Sequence, residues 1–285
     1  MHPLYSRILA NCLQEIDEFL QSARLEKASI VGRLKTRWVG HCLVVLDDCA
    51  STNDVIEKLA EDGAPHGAVV IAETQHAGRG RFGRFWCSPE GGVWLSILIR
   101  PQESLSRVRS LQLIGTIAIA KVLRQGCKVD ANIKWPNDVV VQGRKIAGIL
   151  VESKSKGNDL VYAVLGLGIN ANVDTNKIEL IRDSSTSLQM LKGHPIDRVE
   201  LLVNTLSEVE TVYESIHSTC ESSVMEVLRN LDWSRGRRVR VRTADREIVG
   251  LFDDYETFDR VRVSTGSGPE RVETTAVTSV DYESD

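Results

Sequence analysis

Ile133-Lys134-Trp135-Pro136-Asn137-Asp138-Val139-Val140-Val141-Gln142-Gly143-Arg144-Lys145-Ile146-Ala147-Gly148-Ile149-Leu150 is the stretch whose reading decides the fold. Two runs rich in Val, Ile and Ala flank Gln142-Gly143-Arg144, a sequence suited to a hairpin turn between buried strands. The pattern predicts a strand over 133–141, a second over 145–153 and, after the turn Lys156-Gly157-Asn158-Asp159, a third over 160–169. Working outward toward the N-terminus, 93–99, 67–74 and 41–46 read as further strands. Between the last two, Ser51-Thr52-Asn53-Asp54 opens a helix through residue 60, capped by Ser51 or Thr52 and stopped by Gly63-Ala64-Pro65. Residues 106–124 predict a long helix with Gly126 as its stop.

Toward the C-terminus the period is helical over 197–216 and 222–231, then changes after Trp233. Short strands follow at 237–243, 247–252, 260–265 and 271–277, with turns such as Ser267-Gly268-Pro269, which predicts a small β-barrel. Arg235, Arg237, Arg238, Arg240 and Arg242 make its first strand basic, a pattern that suits an edge strand protected against sheet-to-sheet pairing. At the other end, Tyr5, Ile8, Leu9, Cys12, Leu13, Ile16, Phe19 and Leu20 form one apolar stripe of a helix over 5–20. Its polar face is acidic, which disfavours a membrane-surface role. The expected organisation is a helical extension over 1–40, a main domain over 41–233 and a small domain over 234–285.

Composition narrows the class. With 285 residues, 42 % hydrophobic, the chain can bury a core without disulfide or metal staples. A formal net charge of −4 argues against a general nucleic-acid coat. The six cysteines, at 12, 42, 49, 87, 127 and 220, form no Cys-x-x-Cys pair and have no accompanying His cluster. A structural zinc site is therefore not expected, and unpatterned thiols suit a reducing cytoplasm. There is no signal-peptide pattern and no apolar run long enough for a membrane span.

A second motif carries chemistry: Thr74-Gln75-His76-Ala77-Gly78-Arg79-Gly80-Arg81-Phe82-Gly83-Arg84-Phe85-Trp86. Three glycines and three arginines fall within seven residues, with no acid among them. Such a loop can bring backbone N–H groups and guanidinium forks to several phosphate oxygens at once. It is neither a Walker loop nor a dinucleotide fingerprint, because the terminal Gly-Lys-Ser/Thr is absent and no helix pattern follows. Arg-Gly elements that bind RNA usually repeat in tails, whereas this one occurs once between strong strands. Trp86 suits either packing or an adenine ring. Lys134 and Lys145 lie at strand ends, where partial desolvation strengthens their attraction for anions. The two motifs together suit a site for a nucleoside triphosphate and a carboxylate.

These residues carry a family resemblance. Gly78-Arg79-Gly80-Arg81-x-Gly83-Arg84-x-Trp86, Lys134-Trp135-Pro136-Asn137-Asp138, Lys145-x-Ala147-Gly148-Ile149-Leu150 and Gly166-x-Gly168-Ile169-Asn170 resemble the motifs of the biotin protein ligases, in order and separation. Ser51-Thr52-Asn53 matches an upstream segment of that family, and the likeness covers roughly 41–280. One position departs: Phe82 stands where many members have a further arginine. The resemblance implies an α+β fold, a mixed sheet with flanking helices like that of class II aminoacyl-tRNA synthetases, followed by an SH3-like barrel. It also implies a two-step reaction. Biotin and ATP give biotinyl-5′-AMP and pyrophosphate with Mg²⁺, and biotin then passes to a lysine of a biotin carboxyl carrier domain.

By the same resemblance, Lys145 and Arg81 are catalytic, and Asp138 is the candidate base for the incoming lysine. Biotin contacts fall to Ser51, Thr52, Asn53, Gln75, Arg79, Gly80, Arg81, Lys145 and Gly148. Nucleotide contacts fall to Arg79, Arg81, Arg84, Trp86, Lys134, Asn137 and Asn170. A lipoate or octanoate ligase or transferase is the nearest rival. A DNA-binding regulator is disfavoured, since about 40 residues before the first main-domain strand are too few for a winged helix-turn-helix. An interaction module using the small domain is the third reading. A homodimer is compatible with the resemblance.

Overall fold

The computed structural model describes residues 24–100, 108–157, 159–218 and 221–283. The helix expected over 5–20 and the start of that expected over 106–124 lie outside the described residues. The main domain is built on seven strands: β1 (Leu43–Cys49), β2 (Val69–Gln75), β3 (Val93–Ile99), β4 (Ala131–Lys134), β5 (Asp138–Val141), β6 (Arg144–Lys156) and β7 (Asp159–Ile169). Their order across the sheet is β1-β2-β3-β7-β6-β5-β4. Only β1 and β2 run parallel; every other neighbouring pair is antiparallel, so the sheet is mixed.

Helices cover both faces. Helix α1 (Lys27–Val31) precedes the sheet, and α2 (Thr52–Glu61) crosses between β1 and β2. Ile56 and Ala60 of α2 pack with Val70, Leu98 and Val164 on one face. The other face meets α3 (Val108–Gln125), with α5 (Arg198–Ser218) and α6 (Glu221–Leu231) stacked beyond it; a short α4 (Leu188–Lys192) lies between β7 and α5. Because strand residues alternate faces, Leu95, Ile97, Leu165, Leu167 and Ile149 meet α3 while their neighbours face α2.

The expected strand over 133–141 is two strands. β4 ends at Lys134 and β5 begins at Asp138, so Trp135-Pro136-Asn137 forms the turn. Proline has no N–H to donate to a ladder, and here it ends the strand. The turn at Gln142-Gly143 is as expected, with φ of 51° and 75°, the left-handed pair favoured in tight hairpins.

After α6 comes a five-stranded antiparallel sheet: β8 (Arg238–Thr243), β9 (Glu247–Thr257), β10 (Arg260–Thr265), β11 (Gly268–Glu273) and β12 (Val277–Tyr282). Its order is β11-β10-β9-β8-β12. The expected strand over 271–277 is divided by a 3-10 turn, Thr274–Ala276. No pairing closes β11 onto β12 among the described residues, so the ladder itself is open rather than a closed barrel. The basic strand is a further correction. β8 pairs on both sides and is not an edge. Its arginines are matched by acids instead: Arg240 and Arg242 to Glu247 at 2.5 and 2.9 Å, Arg242 to Asp281 at 2.6 Å, and Arg238 to Glu283 at 3.1 Å.

The two sheets meet at the Lys-Trp-Pro turn. Trp135 is buried, 5.6 Å from Phe252, and its N–H donates to Ser234 Oγ at 2.9 Å. The Tyr282 hydroxyl donates to the Trp135 carbonyl at 2.9 Å, and Trp135 Nε1 donates to Thr274 Oγ1 at 3.2 Å.

Candidate active site

Strand register builds a lane across the sheet. Lys134 pairs with Asp138, Asp138 with Gly148, Gly148 with Gly168 and Gly168 with Trp94. Two residues further along, Leu150, Gly166 and Ser96 form the next row on the same face. This face is the one α2 covers, and the lane begins just beyond the N-terminus of α2. The glycines leave its floor bare. A Cβ on Gly168 would stand 2.6 Å from Trp86 Nε1, and one on Gly166 would stand 2.6 Å from Asn53 Oδ1. The indole of Trp86 lies over Gly148 and Gly168 and meets Trp94 edge-on at 6.2 Å. Its Nε1 is buried with no hydrogen-bond acceptor.

A cavity of about 200 Å³ fills this lane. At one end stand Ser51, Thr52, Asn53 and Gln75. Ser51 caps α2 by accepting from Asn53 N–H at 3.3 Å. Gln75 Oε1 accepts from Thr52 N and Oγ1 at 2.8 and 3.1 Å. At the other end stand Asn137, Asp138 and Lys145, with Gly148 between the two groups. Lys145 Nζ lies 2.6 Å from Asp138 Oδ1 and 4.8 Å from the Trp86 ring. The Asp138 contact is an ion pair without aligned hydrogen-bond geometry, since Oδ1 is buried and otherwise unpartnered. Asn137 Nδ2 donates to the Ile149 carbonyl at 3.0 Å, which fixes the turn against β6.

The Arg-Gly loop roofs the lane, and Arg79, Gly80, Arg81 and Arg84 all line the cavity. Each arginine has a different environment. Arg79 makes a two-pronged pair with Asp54 at 2.6 and 3.0 Å and reaches Glu152 at 3.5 Å, so its pKa is raised, first by the Asp54 bond. Arg81 donates to the Thr274 and Val277 carbonyls of the small sheet at 3.2 and 2.8 Å. Burial lowers its pKa, and Asp138 opposes that shift. Arg84 is exposed. Phe82 holds φ 58°, a left-handed conformation uncommon outside glycine, and its ring lies 5.0 Å from the Arg81 guanidinium.

Two expected residues stand outside the cavity lining. Lys134 Nζ lies over the rings of Tyr282 and Trp233 at 4.7 and 5.1 Å, and burial lowers its pKa. Asn170 is buried and donates to the Thr186 carbonyl at 3.0 Å, tying down the segment before α4. The structure also brings in residues the sequence did not single out. Asp54 and Glu152 hold Arg79; Ser96 Oγ donates to Asn53 Oδ1 at 2.5 Å and lies 2.7 Å from Thr52 Oγ1; Ser88 holds Gln75. Ser96 had a signal, as the one hydroxyl within the apolar run Val93-Trp94-Leu95-Ser96-Ile97-Leu98-Ile99. Asp54 and Glu152 had none, because an acid in the first turn of a helix or along a strand is ordinary in a sequence.

The arrangement is a slot with hydrogen-bonding groups at one end, a cation at the other, and arginines above. The biotin/lipoate A/B protein ligase family model matches residues 46–170. The bifunctional ligase/repressor BirA of Bacillus subtilis is 31 % identical over 251 residues, covering 87 % of this chain and 77 % of that protein. A biotin–[acetyl-CoA-carboxylase] ligase of Mycobacterium tuberculosis is 30 % identical over 235 residues, covering 79 % and 84 % respectively. Among solved structures, the biotin protein ligase of Aquifex aeolicus in complex with biotin and ATP superposes with a TM-score of 0.75. The two share 26 % identity over 85 % of this chain and all of that one. This chain belongs to the biotin/lipoate A/B protein ligase family.

Proposed function

We infer that this chain is an ATP-dependent biotin protein ligase, which activates biotin as biotinyl-5′-AMP and transfers it to a lysine of a biotin carboxyl carrier domain. The observation that carries the reading is the lane itself. Its polar end suits a ureido ring, its bare glycine floor suits a flat ring and acyl chain, and Lys145 stands where the chain's carboxylate would end.

In the first step a carboxylate oxygen of biotin attacks the α-phosphorus of ATP and pyrophosphate leaves. Both partners are anions, so the barrier falls only if a cation lies between them. Lys145 is placed for this, and an α-phosphate arriving beside it would share its ammonium with Asp138. Arg79, Arg81 and Arg84 hold the loop over the ligands and carry further positive charge. Trp86 forms the wall above the glycines. Mg²⁺ accompanies the nucleotide: no group of three or more His, Cys, Asp or Glu side chains that could hold a metal occurs among the described residues. No step here depends on that ion.

In the second step the carrier lysine attacks the acyl carbonyl and AMP leaves. A free lysine is only about 0.04 % neutral at pH 7, so a base is needed. Asp138, at the lane end beside Lys145, is the group placed to take that proton. The small sheet is the SH3-like domain of this architecture, its boundary lying between Trp233 and Ser234. The proposed setting is the cytoplasm, which the unpatterned cysteines suit.

The test is direct. The protein is incubated with ATP, Mg²⁺, biotin and an apo carrier domain, and the carrier lysine is examined by mass spectrometry. A biotinyl mass gain is expected. A gain with lipoate or octanoate in place of biotin would move the assignment to the sister enzymes.

A further inference from the structure

We propose that Ser88 is a positioning residue that, together with the Thr52 N–H, holds the hydrogen-bonding sense of Gln75, and thereby helps select a cyclic urea over its guanidine counterpart. The proposal rests on the biotin reading of the cavity. Ser88 is buried, 3 % exposed, and does not line the cavity. It acts through its neighbour.

The two ends of a glutamine amide are nearly alike in shape, and only their partners distinguish them. Gln75 Oε1 faces two donors, the Thr52 backbone N–H at 2.8 Å and the Thr52 hydroxyl at 3.1 Å. Gln75 Nε2 donates to Ser88 Oγ at 2.8 Å. Ser88 Oγ in turn donates to the Trp86 carbonyl at 3.3 Å. A serine hydroxyl has one hydrogen, so with that hydrogen committed to Trp86 a lone pair is left facing Gln75. The sequence of bonds has one direction throughout. Thr52 gives to Gln75, Gln75 to Ser88, and Ser88 to the loop.

The amide has two hydrogens, and Ser88 takes one. The other remains for the cavity that Gln75 lines. An amide hydrogen there welcomes the carbonyl oxygen of a urea and repels the N–H of a guanidine. The backbone keeps this feature separable from folding. Gln75 N–H donates to the Ser88 carbonyl at 3.1 Å, which holds residue 88 in place whatever its side chain. Gly78 leaves room for the Ser88 bond to Trp86: a Cβ there would stand 2.5 Å from the Trp86 carbonyl and 2.9 Å from Ser88 Oγ.

The experiment uses the full chain and the variants Ser88→Ala and Ser88→Thr. KM for biotin, KM for ATP, kcat and the thermal midpoint are measured. So is the preference for biotin over the analogue whose urea oxygen is replaced by nitrogen. In Ser88→Ala the biotin KM should rise roughly tenfold and the preference should shrink several-fold, while the ATP KM stays within about twofold. Ser88→Thr keeps the hydroxyl and should recover most of both losses. An unchanged biotin KM and preference in Ser88→Ala overturns the proposal. So does an equal rise in both KM values that Ser88→Thr shares. Absence of biotin-dependent pyrophosphate release in the unaltered chain would instead remove the biotin reading itself.

Discussion

Two regions of this molecule are rich in arginine, and the fold treats them oppositely. Strand β8 carries Arg238, Arg240 and Arg242, each answered by an acid on a neighbouring strand or just beyond it. The Arg-Gly loop carries Arg79, Arg81 and Arg84 above a cavity, held by Asp54, by small-sheet carbonyls, and by nothing that buries it, respectively. In the sequence both are simply dense in positive charge. The difference lies in spacing. Alternate residues on a strand put arginines on one face, where cross-strand acids meet them. Interleaved glycines produce an irregular loop with no such ladder, and its arginines take different partners while all three still line the cavity.

The sharpest way to break this contrast is at the lane end. Lys145→Gln should slow pyrophosphate release from biotin and ATP by on the order of 10³-fold, about 4 kcal/mol of transition-state stabilisation. A variant that turns over at the parental rate removes the two-anion argument. Next comes Gly168→Ala. Its Cβ would fall 2.6 Å from Trp86 Nε1, so the indole must move off the floor. Biotin KM should rise about ten- to a hundredfold, which steady-state kinetics measures.

A smaller effect sits at the seam between the two sheets. Burial pushes the Asp232 carboxyl up to about 6 from 3.8, against bonds from Ser234 N–H and the Tyr255 hydroxyl. The folded chain thus holds this proton more tightly than the unfolded chain. The ionised group costs stability in full above pH 6, and the cost disappears as the pH falls through 6 toward 3.8. Asp232→Asn should therefore gain about 1–3 kcal/mol in urea unfolding at pH 7.5 and nothing at pH 4. Equal curves at pH 7.5 would show that the carboxylate is better solvated than its surroundings imply. The smallest effect belongs to β8. Arg240→Gln should leave both adenylation kinetics and the unfolding midpoint unchanged; a clear loss of activity there would mean that the second arginine cluster serves the site after all.

Much of this was legible in the sequence because it depends on local pattern. The hairpin at Gln142-Gly143, the strand over 93–99 and the cap at Ser51 are each specified by residues within a few positions. Most of the residues singled out between Ser51 and Gly148 gather around one cavity, but they were picked by their likeness to a family's motifs rather than by local pattern. What stayed hidden depends on partners far apart. Nothing near Lys134 announces that Trp233 and Tyr282 will enclose it, about 100 and 150 residues later. The interior position of β8 depends on β12, a strand that alternation alone did not separate from its neighbour. The break at Trp135-Pro136-Asn137 was available from proline's missing N–H, but the apolar residues on either side, Ile133 before it and Val139 to Val141 after it, masked it.

Arg81 ties the roof of the lane to the small sheet through two carbonyls, and Trp135 ties the floor's end to the same turn at Thr274. Partial loosening of that sheet by warmth or mild denaturant therefore reaches the chemistry before it reaches the bulk of the helices. Turnover should fade at a lower temperature than the far-ultraviolet signal melts, with the adenylate escaping into solution first.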